Sequence, residues 1–287
     1  MIPANPIMIG AEKEIQAEGL AYDLVLCPFT YDRLSEKYAY LSSEFCSGAV
    51  IFALSDKDME ELEKQELDIP VVVYNRASDK FASVYVDNYG AGMQAARVFS
   101  EKGITSAGVV SSLNPNKSSA MRKLGYLDGC RKFGIKVAEE QKIDCFMSVG
   151  GGSEAAEQLL AQPELPEALF TTNDAIALGI MRKLQEKKVA VPEQISILSY
   201  GGNEWNEWIT PSLTTLRLPI EEMSSACVQL LNTMLTTGEW IPISRIFQLE
   251  LEYRGELYKN RKIRRKRGKE DAIIFKGIKK GETKVRG

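Results

Sequence analysis

The sequence predicts an α/β protein in which two layers of parallel sheet, each flanked by helices, face each other across a cleft. Two observations carry this. Short runs rich in Val and Ile, apolar on both faces, alternate with stretches of helical period along most of the chain. That alternation runs twice, once up to about residue 86 and again from about 88 to 217. Ligands of such sheets sit at the carboxyl ends of the strands.

The elements follow in order. Ile7, Ala11, Ile15 and Glu18 step round a helix over 7–19, with Gly19 as its stop. Residues 22–27 read as a strand, and Leu34, Tyr38, Leu41 and Phe45 give 31–45 helical spacing. Then come a strand over 49–54, a helix over 57–65 and a strand over 69–75. Further helices are predicted over 88–102, 118–133, 153–160 and 174–186, and further strands over 106–111, 168–172 and 195–200. A helix over 219–236 has Pro219 at its first turn. Residues 246–253 close the series as one strand, with Phe247, Leu249 and Leu251 alternating against polar neighbours.

The 287 residues are enough for about two domains at roughly 150 residues each. A content of 44% hydrophobic and 26% charged residues is that of a soluble globular chain, which excludes disordered and collagen-like classes. No apolar run approaches the roughly 20 residues of a membrane span. The start Met1–Lys13 lacks the basic and apolar blocks of a secretion signal. The five cysteines never form a C-x-x-C pair, which predicts reduced, cytoplasmic thiols. The chain has 0 histidines, which excludes imidazole acid–base chemistry, Ser-His-Asp or Cys-His nucleophiles and His-ligated metals. Carboxylate-only and Ser-Lys chemistry stay open, but the reading preferred is of a non-enzyme, with no cofactor and no metal expected.

Charge is unevenly placed. Residues 258–287 hold 13 Lys and Arg against 3 Asp and Glu, whereas the remainder is net acidic. The block 259–269, KNRKIRRKRGK, reads as a solvated, disordered basic tail in preference to a nucleic-acid contact.

Two local patterns look chemical but read as structural. Gly150-Gly151-Gly152-Ser153 lacks the Lys of a phosphate loop and reads as a turn before a Ser N-cap. Asp56-x-Asp58 and Glu60-Glu61 read as solvated carboxylates in a first helical turn.

A second set of motifs is specific through its order. It runs Ile69-Pro70-Val71-Val72-Val73-Tyr74-Asn75-Arg76, then Val86-Asp87-Asn88-Tyr89-Gly90-Ala91, then Ser118-Ser119-Ala120-Met121-Arg122-Lys123-Leu124-Gly125-Tyr126. Phe170-Thr171-Thr172-Asn173-Asp174-Ala175 and Val191-Pro192-Glu193-Gln194-Ile195-Ser196-Ile197 follow, leading to Thr210-Pro211-Ser212-Leu213-Thr214-Thr215-Leu216. Over about residues 5–255 this series resembles the effector-binding core of the lactose-repressor (LacI) family of bacterial transcription regulators.

The resemblance implies the type I periplasmic-binding-protein fold, with two Rossmann-like subdomains. Residues 1–86 with 219–243 would form the first, and 87–217 with 245–255 the second. It implies crossovers near 84–87, 217–219 and 243–245, a sugar effector in the cleft, and a homodimer through the effector domains. Arg122 matches the arginine that grips ligand hydroxyls or carboxylates, to which a guanidinium offers paired donors. Asn173 matches the family's Asn-Asp pair, where an amide both donates to and accepts from a hydroxyl. Asp174 reads as a helix-start carboxylate, Asp87 as structural, and Asn75 as a further ligand-facing group where the family often has Asp.

The departures are specific. Where the family has a ligand-holding Asp, this chain has Gly201 and Gly202; Asn203 or Glu204 would substitute, or two glycines would open space for a bulkier ligand. Trp205 would stack on a sugar or, with Trp208, pack a lid loop. The match begins at Asn5-Pro6, after the family's helix-turn-helix, its hinge and the first strand of its core. Operator DNA is thus a partner only through a helix-turn-helix upstream. The resulting reading is an effector-sensing domain of a regulator; the alternatives are a sugar-binding protein of a transport system and a non-functional fragment.

Overall fold

The computed structural model describes residues 6–254, so the basic tail lies outside the described residues. In chain order the elements are α1 (Pro6–Ala17), β1 (Ala49–Ile51), α2 (Asp56–Glu63), β2 (Val71–Tyr74), β3 (Ala82–Val86) and α3 (Asn88–Glu101). Then come β4 (Ala107–Ser112), α4 (Lys117–Phe133), β5 (Lys142–Cys145), α5 (Val149–Leu160), β6 (Ala168–Thr171) and α6 (Asp174–Glu186). β7 (Ser196–Gly201), β8 (Thr214–Arg217), α7 (Ile220–Thr237), β9 (Ser244–Phe247) and β10 (Glu250–Glu252) are the last elements among the described residues.

The strands make two sheets. One has the order β1-β2-β3-β9 and is parallel throughout; the other has the order β10-β8-β7-β6-β4-β5 and is parallel except at β10. The chain passes from one sheet to the other three times, after β3, after β8 and between β9 and β10. We call the regions built on the two sheets the first and second lobes. This is the α/β architecture expected from the alternating runs.

Burial explains the layers. On the first sheet, Met223, Cys227 and Leu230 of α7 pack with Val72 and Val84, and α1 lies against α7. The opposite face buries Leu34, Met59 and Leu62 with Val71 and Val73. On the second sheet, Ala95 and Phe99 of α3 and Tyr126 of α4 meet Val109 and Phe170. Its other face holds α5 and α6 through Ala155, Leu159, Ile176 and Ile180. All five cysteines are free. Three are buried, and burial pushes the thiols of Cys130 and Cys145 up to about 11 and that of Cys227 to about 12. No helix among the described residues is long and apolar enough to cross a membrane.

Several local expectations are corrected. Residues 22–27 form no strand, and Val25 is 69% exposed. The first sheet ends at β1, and a strand with no neighbour gains no ladder hydrogen bonds. Only Leu34–Tyr40 of the expected helix 31–45 is helical, as a 3-10 turn. Asp32 adopts φ +65, and Asp58 captures the N–H groups of Asp32 and Leu34, which bends the segment onto α2. The expected strand 246–253 is two strands in two sheets, parted at Gln248-Leu249. Conversely, β3, β5 and β8 are not among the strands read from the sequence; in β5, Lys142 and Asp144 alternate with only two apolar residues, because it is an edge strand.

The triple glycine is not a turn. α5 begins at Val149 with Ser148 as its N-cap, so all three glycines are helical. They let α5 and α6 touch: a Cβ on Gly152 would lie 2.2 Å from the Ile176 carbonyl oxygen, and one on Gly179 would lie 2.0 Å from that of Val149.

Candidate ligand-binding cleft

The carboxyl ends of both sheets turn toward one another. β1 leads to Asp56 and β2 to Asn75 and Arg76; β5 leads to Phe146, β6 to Asn173 and β7 to Gly201 and Gly202. The lobes meet where Asp56, at the start of α2, accepts the backbone N–H of Lys117 at the start of α4. The same carboxylate binds Arg76, whose side chain is buried. Burial would raise the Asp56 pKa, but the hydrogen bonds from Arg76 and Lys117 outweigh it and hold it below the ordinary carboxylate value. Asp56 is thus the half-exposed helix-start carboxylate expected and, beyond that, a bridge between lobes. Its neighbour Asp58 is fully buried, in a capping box with Ser55.

Arg122 lies on the second turn of α4 and is 6% exposed. Its Nη1 donates to the Thr172 carbonyl at 2.6 Å and its Nη2 to Asn88 Oδ1 at 2.6 Å. The guanidinium carbon stands 3.2 Å from the centre of the Tyr200 ring. Asn88 was not foreseen as a partner; the Asp-Asn motif before α3 is the signal that marks it. Asp87 of that motif caps α3 through Gly90 N–H, as a structural residue does.

Asn75 adopts φ +57, the left-handed region that Asn tolerates, and its buried Oδ1 has no hydrogen-bond partner. Asn173 is the N-cap of α6, with Oδ1 accepting from Ala175 N–H. Asp174 does more than start a helix. It is fully buried, and Oδ2 accepts from Gly202 N–H, Asn203 N–H, Asn203 Nδ2 and Asn206 Nδ2, while Oδ1 accepts from Thr215 Oγ1. One carboxylate therefore pins the whole loop after β7. That loop holds Asn203, Glu204 and Trp205 at the surface, with Trp205 44% and Trp208 84% exposed.

The glycines of this loop answer to the protein. Gly201 and Gly202 adopt φ +151 and +93, and a Cβ on either would lie 2.5 Å from Asp174 Oδ2 or 2.4 Å from the Arg217 side chain, respectively. The space beside Gly201 and Gly202 is filled by Asp174 and Arg217, so it is not room opened for a larger ligand.

Comparison with known proteins gives the lineage. Residues 96–255 match the model of a periplasmic binding protein-like domain. A LacI family transcription regulator from Clostridium acetobutylicum superposes with a TM-score of 0.81 at 32% identity, over 87% of this chain and 93% of that one. The chain belongs to the LacI family. The probable HTH-type transcriptional repressor ExuR of Bacillus subtilis is 29% identical over 195 residues, which are 67% of this chain and 59% of that relative. This chain thus spans about three fifths of that repressor's length. A LacI family regulator from Enterococcus faecalis V583, solved with bound ribose, has a TM-score of 0.72 and 24% identity over 87% of this chain and 91% of that one, a likeness of fold alone. These relatives are named as transcription regulators.

One electrostatic feature of this LacI-family core stands out. Among the described residues no carboxylate makes a hydrogen bond or ion pair with Arg122. Asp174, two residues beyond the carbonyl that Arg122 binds, directs both oxygens to its own loop. Desolvation lowers the Arg122 pKa, and the Tyr200 ring opposes that. A cation over a ring contributes about 2 kcal/mol when desolvated, whereas burying an ion costs several kcal/mol. The ring and the hydrogen bonds to two neutral oxygens hold Arg122 without bringing it an opposite charge.

Proposed function

We propose that the chain is the effector-sensing core of a sugar-responsive transcription regulator, homodimeric and cytoplasmic, which reads operator DNA through a helix-turn-helix carried by the full-length protein. The observation that carries this is the bridge from Asp56 to Lys117 across a cleft whose second wall holds Arg122. A ligand seated between the lobes competes with that bridge or adds to it, and so biases the angle between them. It shifts the equilibrium only by as much as its affinities for the two arrangements differ.

Within the cleft, Arg122 Nε and Asn75 Oδ1 are among the groups with unspent hydrogen-bonding capacity, beside Arg76 Nη1 and the Tyr200 hydroxyl. We assign Arg122 and Asn75 to the effector. Trp205 and Glu204 offer a stacking face and an acceptor from the exposed loop. Asn173 and Asn203 have hydrogen bonds within the protein and act by holding α6 and the loop in place.

Thermal melting of the full chain against mono- and disaccharides, sugar acids and sugar phosphates tests the reading. A ligand at 100 times its Kd adds about 2.7 kcal/mol, or several degrees. A sugar-dependent rise supports the proposal; no rise with any member of the panel overturns it.

A further inference from the structure

We propose that the effector is an anionic sugar, a polyol carrying a carboxylate or a phosphate, and that its oxyanion pairs with Arg122. This rests on the sensing role proposed above and adds the charge of the ligand to it.

Three observations converge. Arg122 is a buried cation to which no carboxylate is bonded among the described residues. Its two hydrogen bonds go to a backbone carbonyl and an amide oxygen, both neutral, and Nε has no partner. The buried carboxylate of Asp174, two residues beyond the carbonyl that Arg122 binds, is taken up by Gly202, Asn203, Asn206 and Thr215. The protein therefore carries the guanidinium without the counter-charge, and a ligand that brings its own completes the pair. A charge-assisted hydrogen bond in a water-poor site is stronger than one to a hydroxyl, so an oxyanion is bound in preference to a neutral polyol of the same shape. On the facing lobe, Arg76 Nη1 is also buried and unpartnered, while Nη2 is held by Asp56.

The experiment is calorimetric titration of the full chain with matched pairs. Glucose is set against gluconate, glucuronate and glucose 6-phosphate, and galactose against galacturonate. The expected result is binding of a charged member at least 100-fold tighter than its neutral partner; the carboxylate and phosphate arms then tell which oxyanion is read. Arg122→Gln should abolish the preference, and Arg122→Lys, which keeps the charge but loses the fork, should keep it at reduced affinity. If either variant fails to melt cooperatively, the wild-type charged-to-neutral ratio decides alone. Tight binding of a neutral sugar with no gain from charge overturns this proposal and leaves the sensing role standing. Binding of neither set overturns both.

Discussion

Asp56 and Lys117 join the two lobes through a single carboxylate, with both oxygens within 3.2 Å of the Lys117 backbone nitrogen. This contact between the lobes is made by a backbone N–H, which no side-chain change at position 117 removes, and an acid, which a single change does. Asp56→Ala should open the cleft and leave Arg76 without its anion. Because Asp56 is half-exposed, the cost should be about 1–2 kcal/mol, less than for a fully buried pair. Small-angle scattering should show a larger radius of gyration; an unchanged radius would show that the bridge does not set the lobe angle.

Asp58 makes a pH prediction. Burial would raise its pKa, but hydrogen bonds from Leu34, Ser55 and Asp32 hold it below the ordinary carboxylate value. A carboxyl whose folded pKa is depressed stabilises the fold in full above its unfolded pKa, and that contribution is lost as pH falls through the folded value. Asp58→Asn should therefore lower the melting temperature near neutral pH, and the gap to wild type should shrink as acid is added. A gap independent of pH would mean the loss is steric.

At Gly179 the crowding decides the sign of a substitution. Alanine gains about 1 kcal/mol of helix propensity over glycine. Against that, its Cβ would lie 2.0 Å from the Val149 carbonyl oxygen, so α5 and α6 must separate. Overpacking of this kind costs about 1–3 kcal/mol. Gly179→Ala should melt lower than wild type; an equal or higher melt would show that the helix pair has slack.

Gly201→Ala tests the loop after β7. It places a methyl 2.5 Å from Asp174 Oδ2 at a φ of +151, where non-glycine residues are strained. We expect a loss of about 2–4 kcal/mol from strain and a disturbed hydrogen-bond cluster. Fluorescence of the exposed Trp205 and Trp208 on this loop should shift in the same variant; native spectra and a native melt would refute the clamp.

The strands β1, β2, β4, β6 and β7 and most helices were legible because their residues announce them locally, whereas β3, β5 and β8 were not. Ala168–Thr171 is apolar on both faces, and Asn173 sits where a cap belongs, so β6 and α6 followed directly. What escaped depended on partners distant in sequence. Residues 22–27 have strand composition, yet a strand exists only beside another. The glycines of α5 read as a turn because the helix they approach, α6, lies over 20 residues later. The site divides in the same way. Arg122 and Asn173 carry motif signals, whereas Asp56 looked like any helix-start acid, since nothing in its neighbourhood names Lys117.

The buried thiols turn the fold into its own timer. Cys227 belongs to α7 in the first lobe and Cys145 to β5 in the second, and both are held protonated and covered. A thiol in that state is inert to alkylation until its surroundings open. The rate at which each is labelled in the native protein is therefore a separate clock for each half. If the halves breathe independently, the clocks disagree, and an added effector should slow the one whose wall it holds.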